Sequence, residues 1–435
     1  MTGVQTCALP ISKILQPIKG IISDKNYRQK FFNKYAILVN DLQFLVENNS
    51  LNKSKQEFIY NNIIEIGEDL NGEIKSVNLV IPYLEPSGIF GGLSSALSFS
   101  RHFINLGYRL NIIYLSPQCD KIKEEAFLKA IKDYYSGAID LSKIALIDRL
   151  NTSKFPFSKD DLFIATFWTT ALAIKNTLTQ NHFNQAKFIY MIQDFEPGFY
   201  AWSDDFALAD YTYTLDFIPV FNAQSLFEYV AQKHPNLTQY HNHVIKPVVR
   251  FPKDDFVVSR QNDNKCNILI YGRPSKDRNL FNVIIIGLKR WIEKNNIQPK
   301  HVSINSIGEK HADVDLGNGM VVKSLGKMSY DQYIDLLSKT DIGVSLMLSP
   351  HPSYPPLEMA LHGVRVITNR FENKQLKDIE NLSAIEPYPE NLSDELEVIY
   401  QKVKSTNKVI PIIDFLNKMG LPMEEVFENL VEKLG

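Results

Sequence analysis

The sequence predicts an α/β protein with two domains, each built on a mostly parallel sheet. The chain has 435 residues, 44% of them hydrophobic, and a net charge of −2, which suits two soluble domains with separate cores. From residue 76, short apolar runs alternate with helical stretches, and their continuous hydrophobicity indicates strands that are covered on both faces. Pro, charged and amide side chains interrupt this rhythm at 250–265, which predicts a domain boundary.

The predicted strands form two series. Residues 76–255 and 256–410 are therefore predicted to be two Rossmann-like domains, with a ligand in the cleft between the carboxyl ends of their strands. Residues 391–434 are helical by pattern, and the segment 411–435 is predicted to pack back on the first domain. The strands of the first series are 77–84, 110–116, 144–148, 162–168 and 188–194, and those of the second are 267–272, 302–308, 341–347 and 364–369.

The start of the chain needs separate treatment. MTGVQTCALPIS resembles the translation of a sequencing-adapter oligonucleotide over residues 1–11, so we exclude these residues and expect the natural amino terminus to be missing. Residues 12–75 predict a helical extension, because Phe31, Tyr35 and Leu38 recur at helical spacing. Two roles stay open for it: packing on the next domain, or attachment of its basic and aromatic residues to an anionic membrane surface.

Composition narrows the possible partners and compartments. The net charge of −2 gives no indication of a nucleic-acid partner. No apolar stretch approaches the roughly 20 residues of a membrane-spanning helix. The three cysteines have no metal-ligand spacing, which favours a reducing compartment. We therefore expect a cytoplasmic protein, with any membrane contact peripheral and at the inner face of the cell membrane.

A basic turn follows the first strand of the second series. NILIYG (267–272) runs into RPSKDRNLF, which places Arg273, Lys276 and Arg278 just before a helix predicted to start near Asn279. The free N–H groups and the dipole of a helix start attract anions, and Arg binds phosphate oxygens in fork geometry. The turn therefore predicts a diphosphate site, and the alternative is a solvated basic turn.

A longer motif is VVKSLGKMSYDQYIDLLSKTDIGVSLMLSPHPSYPPLEMALHGVRVITN, residues 321–369. It resembles the carboxyl-terminal domain of the retaining glycosyltransferases of family 4. The resemblance implies the GT-B fold, two Rossmann-like domains facing each other across a cleft, with 76–255 on the acceptor side and 256–410 binding the nucleotide sugar. The same resemblance implies that the nucleotide-sugar donor is used with no metal or other cofactor. It also implies that Glu358 accepts hydrogen bonds from the nucleotide ribose and that backbone N–H groups around Ser353 and Tyr354 hold the diphosphate. Lys327 is a further candidate for the diphosphate or the sugar, or else a solvated turn lysine.

The sequence departs from this family at one position. The motif E-x7-E would place a first Glu eight residues before Glu358, where Pro350 stands. The usual carboxylate for the hydroxyls of the donor sugar is therefore absent, which favours a 6-deoxy sugar over the common hexoses. His351 could replace it as a polar contact, or it could be exposed in the loop.

Three segments are similar to a narrower group, the rhamnosyltransferases of bacterial S-layer and other cell-surface glycans. They are SPHPSYPPLEMA, IYMIQDFEPGFYAW and YGRPSKDRNLF, and the resemblance spans about residues 77–400. It implies dTDP-β-L-rhamnose as the donor and a hydroxyl of a glycan, free or lipid-linked, as the acceptor.

Polar residues also gather in the first domain, where Gln193, Asp194 and Glu196 follow the strand 188–194. The family places this motif in the cleft, so Asp194 and Glu196 are predicted to be catalytic, with Asp194 stabilising positive charge at the anomeric carbon. The alternative is a polar strand end that caps a turn. Three glycines could let the backbone approach a phosphate or sugar, or could only form a turn; they are Gly88, Gly91 and Gly92.

Two other functions stay open at this point. One is a nucleotide-sugar epimerase or hydrolase on the same fold, for which only Asp194 and Glu196 could supply acid and base chemistry. The other is a non-catalytic glycan-binding protein, which would have no use for a diphosphate site. The motif DVD at 313–315 resembles the metal motif of a different glycosyltransferase fold, but it falls in a predicted loop, and we predict no metal site.

Overall fold

The computed structural model describes residues 62–66, 70, 72–84, 89, 91–116, 121–135, 140–149, 152, 155–249, 265–377, 379–405 and 414–434. The predicted extension 12–75 lies largely outside this part of the chain, as do residues 1–11, Gly88 and the predicted boundary near residue 256. All the elements below belong to one unit, Ile63–Gly435. It contains two seven-stranded sheets, which we call the first half (76–249) and the second half (265–405).

The first half is a parallel sheet with the strand order β3-β2-β1-β4-β5-β6-β7. Its strands are nearly continuous apolar runs because both faces are covered: Leu79 and Val80 point to opposite faces and are both fully buried. The strands are β1 (Ser76–Ile81), β2 (Arg109–Tyr114), β3 (Ile144–Asp148), β4 (Leu162–Ala165), β5 (Phe188–Ile192), β6 (Phe217–Asn222) and β7 (Val244–Ile245). The helices are α1 (Gly91–Asn105), α2 (Lys121–Tyr134), α3 (Trp168–Gln180), α4 (Asp204–Tyr211) and α5 (Gln224–Lys233).

The second half repeats this plan with the order β10-β11-β9-β8-β12-β13-β14. Its central strand is buried on both faces, since Ile268 and Ile270 join one hydrophobic cluster and Leu269 joins another. The strands are β8 (Cys266–Gly272), β9 (Val302–Gly308), β10 (Val314–Gly317), β11 (Met320–Gly326), β12 (Ile342–Val344), β13 (Arg365–Asn369) and β14 (Leu382–Ile385). The helices are α6 (Phe281–Lys294), α7 (Tyr330–Ser338), α8 (Tyr354–Leu361) and α9 (Pro389–Ser405).

Several of these strands were not predicted. β6 contains Pro219, and a proline inside an apolar run argues against a central strand, but β6 lies next to the two-residue strand β7 near the edge of its sheet. In the second half, β10 and β11 form an antiparallel hairpin. The prediction of a loop at 313–315 is wrong, because Val314 and Asp315 lie in β10.

The carboxyl-terminal segment returns to the first half. Leu421 pairs with Ile245 of β7, and the last helix, α10 (Met423–Leu434), packs its apolar face on α1. The ring of Phe427 lies 4.8 Å from that of Phe103, and Leu430 is fully buried in the core of the first sheet. The chain therefore crosses between the halves twice.

The strand order determines where a ligand site can form. β8 lies between β9 and β12, so the connections that leave β8 and β12 diverge at the carboxyl edge of the sheet. In the first half, β1 between β2 and β4 creates the same situation. Sites in open α/β sheets form at such points.

Among the described residues, no helix combines the length and the apolar character needed to cross a membrane.

We expect Leu430→Ala to destabilise the first half, because it empties a fully buried position between α10 and the sheet. Truncation of a buried Leu costs roughly 3 kcal/mol. The adjacent Val431 is 38% exposed, so Val431→Ala is a matched control with a change below about 0.5 kcal/mol. Thermal unfolding of both variants measures the difference; equal unfolding temperatures would contradict the packing of α10.

Candidate functional site

A buried carboxylate at the end of β5 joins the two halves. Asp194 is 8% exposed, and its Oδ2 forms an ion pair with Arg278 of the second half. Its Oδ1 accepts hydrogen bonds from the hydroxyl of Ser349, also of the second half, and from the N–H of Phe195 at 2.9 Å. Burial alone would raise the pKa of Asp194, but the charge of Arg278 and the hydrogen bond from Ser349 hold that pKa below its usual value. Asp194 is therefore an anion held by the opposite half.

Arg278 lies in the basic turn that the sequence predicted. Its guanidinium carbon lies 4.1 Å from the ring centre of Phe199, a residue of the first half. Its carbonyl accepts the N–H of Leu348 at 2.8 Å, which ties the turn after β8 to the loop after β12. Contacts from both halves thus fix the position of the guanidinium.

A buried lysine that the sequence did not single out lies behind this loop. Lys374 is 1% exposed, and its Nζ donates to the carbonyl of Met347 at 2.8 Å, while Asn369 binds the N–H of the same residue at 2.6 Å. Burial lowers the pKa of Lys374 to about 7, and the charge of Asp194 opposes that effect. Lys374 follows β13 in a stretch of mixed polar residues, so only the folded chain reveals that its charge interacts with that of Asp194.

His351 is buried, so the alternative of an exposed loop histidine is wrong, while a polar contact to the donor sugar stays a prediction. The side chain is 3% exposed, and its Nδ1 accepts the N–H of Ser353 at 2.9 Å. Burial lowers the pKa of His351 to about 4, so the ring is neutral at pH 7. Because Nδ1 is an acceptor, the proton lies on Nε2, which is buried with no hydrogen-bond partner among the described residues.

Two N–H groups of the proline-rich loop are used within the loop. The N–H of His351 donates to the Ser349 hydroxyl at 2.9 Å, and that of Ser353 donates to the His351 ring. Ser353 has a φ of 71°, in the left-handed region, and its strained backbone leads directly into α8. A diphosphate contact at Ser353, as predicted, would have to replace the hydrogen bond to His351.

Tyr354, the first residue of α8, reaches the first half through its side chain. Its hydroxyl lies 3.0 Å from the Ser95 hydroxyl and accepts a hydrogen bond from Asn222 Nδ2 at 2.5 Å. Pro350, at the position where the family has a Glu, offers its carbonyl to the Ser225 hydroxyl at 2.6 Å. Glu358 lies one turn after Tyr354 on the same face of α8 and is partly exposed.

The second predicted catalytic carboxylate has a different environment. Glu196 is 2% exposed, and its Oε2 accepts the N–H of Trp168 at 2.5 Å and the hydroxyl of Tyr190 at 2.9 Å. Burial raises the pKa of Glu196 to about 8. These contacts tie Glu196 to the first turn of α3 and to β5, and a catalytic role for Glu196 stays a prediction.

The glycines and Gln193 form one wall of the first half. A Cβ on Gly92 would lie 2.4 Å from Gln193 Oε1, so a larger residue at this position would displace the Gln193 side chain. Gly91 begins α1 with a φ of 53°. The predicted glycine loop thus meets Gln193 directly, although Gly88 lies outside the described residues.

The remaining predicted cations lie at the same sheet edge but away from Asp194. Arg273 is partly exposed and Lys276 is exposed in the turn after β8. Lys327 follows β11, two strands from β8 and therefore roughly 10 Å along the edge. The described residues contain no group of three or more His, Cys, Asp or Glu side chains arranged to hold a metal ion.

Comparison with known families agrees with this architecture. Residues 76–224 match the profile described as WsaF, N-terminal domain, and residues 266–397 match WsaF, C-terminal domain. The two matches coincide with the two sheets and together span more than half of the chain. The chain is a glycosyltransferase of the GT-B fold.

Solved structures share the fold of this glycosyltransferase. Anabaena Alr3699/HepE in complex with UDP and glucose matches with a TM-score of 0.57 and 12% identity, covering 83% of this chain and 99% of that one. TarM matches with a TM-score of 0.51 and 11% identity, covering 84% and 97%. At such identities the likeness supports the fold alone.

A curated relative is more similar in sequence but much longer. The O-antigen biosynthesis protein RfbC of Myxococcus xanthus is 30% identical over 231 residues, which is 53% of the glycosyltransferase and 17% of the relative. The match therefore concerns a small part of that protein.

We expect the stability of the glycosyltransferase to fall as pH rises toward 8, in part because of Glu196. The folded state keeps the Glu196 proton up to a pKa of about 8, whereas the ordinary value is 4.5, so the stabilising contribution is complete below 4.5 and is lost as pH rises through 8. Glu196→Gln mimics the neutral acid and removes this dependence. Unfolding temperatures of both proteins from pH 5 to 9 test the expectation: parallel curves would show that Glu196 does not titrate in this range.

Proposed function

We propose that this glycosyltransferase transfers L-rhamnose from dTDP-β-L-rhamnose to a hydroxyl of a cell-surface glycan, with retention of the anomeric configuration. The observation that carries the proposal is the junction of Asp194 with Arg278 and Ser349. It brings a carboxylate suited to an oxocarbenium-like transition state next to a guanidinium suited to a leaving diphosphate.

The proposed step breaks the bond between the anomeric carbon and the diphosphate oxygen. The acceptor oxygen forms its bond on the same face, and its proton passes to the departing phosphate oxygen. Positive charge on the sugar is stabilised by Asp194, and negative charge on the leaving group by Arg278, with Arg273 and Lys327 closer to the solvent. Donor phosphate would compete with Asp194 for Arg278, so donor binding rearranges this ion pair.

The preference for a 6-deoxy sugar rests on the loop after β12. Pro350 removes the carboxylate that would accept hydrogen bonds from a hexose, and the neutral ring of His351 presents one N–H donor instead. The N–H of His351 can donate a hydrogen bond to an oxygen of the sugar. It cannot replace a carboxylate, which accepts a hydrogen bond from a sugar hydroxyl. The WsaF domain matches support a surface-glycan substrate, as does the similarity to an O-antigen biosynthesis protein.

A panel of nucleotide sugars tests the proposal. The purified glycosyltransferase is incubated with dTDP-L-rhamnose, dTDP-glucose, UDP-glucose and GDP-mannose, with and without a rhamnose-terminated oligosaccharide, and nucleotide release is followed. We expect acceptor-dependent release of dTDP from dTDP-L-rhamnose, and NMR of the product to show retention. Equal release without an acceptor would indicate a hydrolase, and calorimetry that detects no donor binding would favour a glycan-binding protein.

Two substitutions should separate catalysis from donor binding. Asp194→Asn keeps the shape but removes the charge, so we expect kcat to fall about a hundredfold with a smaller change in donor KM. Glu358→Ala removes the predicted ribose contact, so we expect donor KM to rise about tenfold with little change in kcat. Ser349→Ala is the graded control for Asp194, since it removes a hydrogen bond and leaves the charge. Normal kinetics for Asp194→Asn and Glu358→Ala would reject both assignments.

A further inference from the structure

One tryptophan of the first half is almost fully exposed close to the site. The chain contains three tryptophans, and Trp168 and Trp291 are buried at 3% and 0% exposure, whereas Trp202 is 96% exposed. An indole presented to water is an unfavourable arrangement, and tryptophans of this kind are enriched at binding surfaces. Its exposure makes Trp202 a candidate ligand contact.

Trp202 lies on a short segment that leaves the candidate site. Phe199, three residues earlier, lies under the Arg278 guanidinium, so the Cα atoms of Phe199 and Trp202 are at most about 11 Å apart. The segment is anchored on both sides of Trp202: the Tyr200 hydroxyl accepts the Trp168 indole N–H at 2.8 Å, and Ser203 caps α4. The indole is thus held at the carboxyl edge of the first sheet without contributing to the core.

We propose that Trp202 is a stacking platform for a sugar ring of the acceptor glycan. The electron-rich face of an indole attracts the polarised C–H groups of a pyranose, and a 6-deoxy sugar adds a methyl group to that apolar surface. The inference rests on the proposed function, because it assumes that a glycan extends from the reacting hydroxyl near Asp194. It assigns an acceptor subsite to the first half, outside the donor contacts.

Charge favours a glycan over a membrane as the occupant. Asp204 and Asp205 follow Trp202 in the first turn of α4, and Asp204 is exposed. Carboxylates accept hydrogen bonds from sugar hydroxyls, but they repel the anionic surface of a cytoplasmic membrane leaflet. A neutral, hydroxyl-rich and partly apolar ligand fits both the indole and these acids.

Initial-rate kinetics with saturating dTDP-L-rhamnose and a varied oligosaccharide of three L-rhamnose residues test the proposal. We expect Trp202→Ala to raise acceptor KM about tenfold, Trp202→Phe to raise it less, and both to leave unfolding temperature and donor KM unchanged. Tyr388→Ala is the matched control, because Tyr388 is an aromatic residue of the second half with 58% exposure. Its acceptor KM should equal that of the unsubstituted protein.

Tryptophan fluorescence gives a second readout that does not need the donor. Titration with the same oligosaccharide should shift and quench the emission of the unsubstituted protein and leave that of Trp202→Phe unchanged, since the other two indoles are buried. Unchanged acceptor KM in Trp202→Ala together with unchanged emission overturns the proposal. If Trp202→Ala instead loses only binding to vesicles of anionic phospholipid, the indole is a membrane contact and the proposal is also overturned.

The outcomes of the kinetic and fluorescence experiments distinguish a failure of the Trp202 platform from a failure of rhamnosyl transfer. Donor-dependent turnover with an unaffected Trp202→Ala would reject the platform and leave rhamnosyl transfer standing. Failure of the unsubstituted protein to bind or consume dTDP-L-rhamnose would reject rhamnosyl transfer, while the fluorescence titration would still decide whether Trp202 binds a glycan.

Discussion

The site of this glycosyltransferase depends on one buried anion, Asp194, and on two groups of the second half that stabilise it, one cation and one hydroxyl. Removing a carboxylate from water is costly unless cations and hydrogen-bond donors replace the solvent. Arg278 and Ser349 do so from two different loops, and the carbonyl of Arg278 binds the N–H of Leu348 and so connects those loops. Because Asp194 lies in the first half and its partners lie in the second, the geometry of the site depends on how the two halves are placed.

The groups around Asp194 divide into those that carry charge and those that burial keeps neutral. Burial lowers the pKa of His351 and Lys374 and raises that of Glu196, so His351 and Glu196 are neutral at pH 7 and Lys374 is close to its midpoint. The result is a site whose permanent charges are the Asp194 and Arg278 pair. Lys374 is enclosed behind the loop, and the other cations of the same sheet edge are partly or fully exposed. The ring of His351 is neutral, so it contributes an oriented hydrogen bond to the loop and no charge.

Rigidity is concentrated in the loop between β12 and α8. Its prolines fix φ, and the N–H groups of His351 and Ser353 bind side chains of the same loop. Tyr354 and Pro350 attach the loop to the first half. This loop was expected to aim N–H groups at a diphosphate. In the structure the same rigidity holds the side chains of Ser349 and His351 beside Asp194, so the prolines organise a junction between the halves.

The amino-acid pattern predicts the two α/β halves, because parallel strands buried on both faces leave continuous apolar runs. Asp194 and Arg278 could be singled out because each follows such a run, whereas the ribose contact of Glu358 stays a prediction. The sequence did not predict β6, where Pro219 masks the pattern, or the hairpin of β10 and β11. The contact between Asp194 and Arg278, the position of Lys374 behind the loop and the enclosure of Glu196 appear only in the folded chain. These facts depend on contacts between residues far apart in the chain, and burial, which sets their protonation, exists only once both halves have folded.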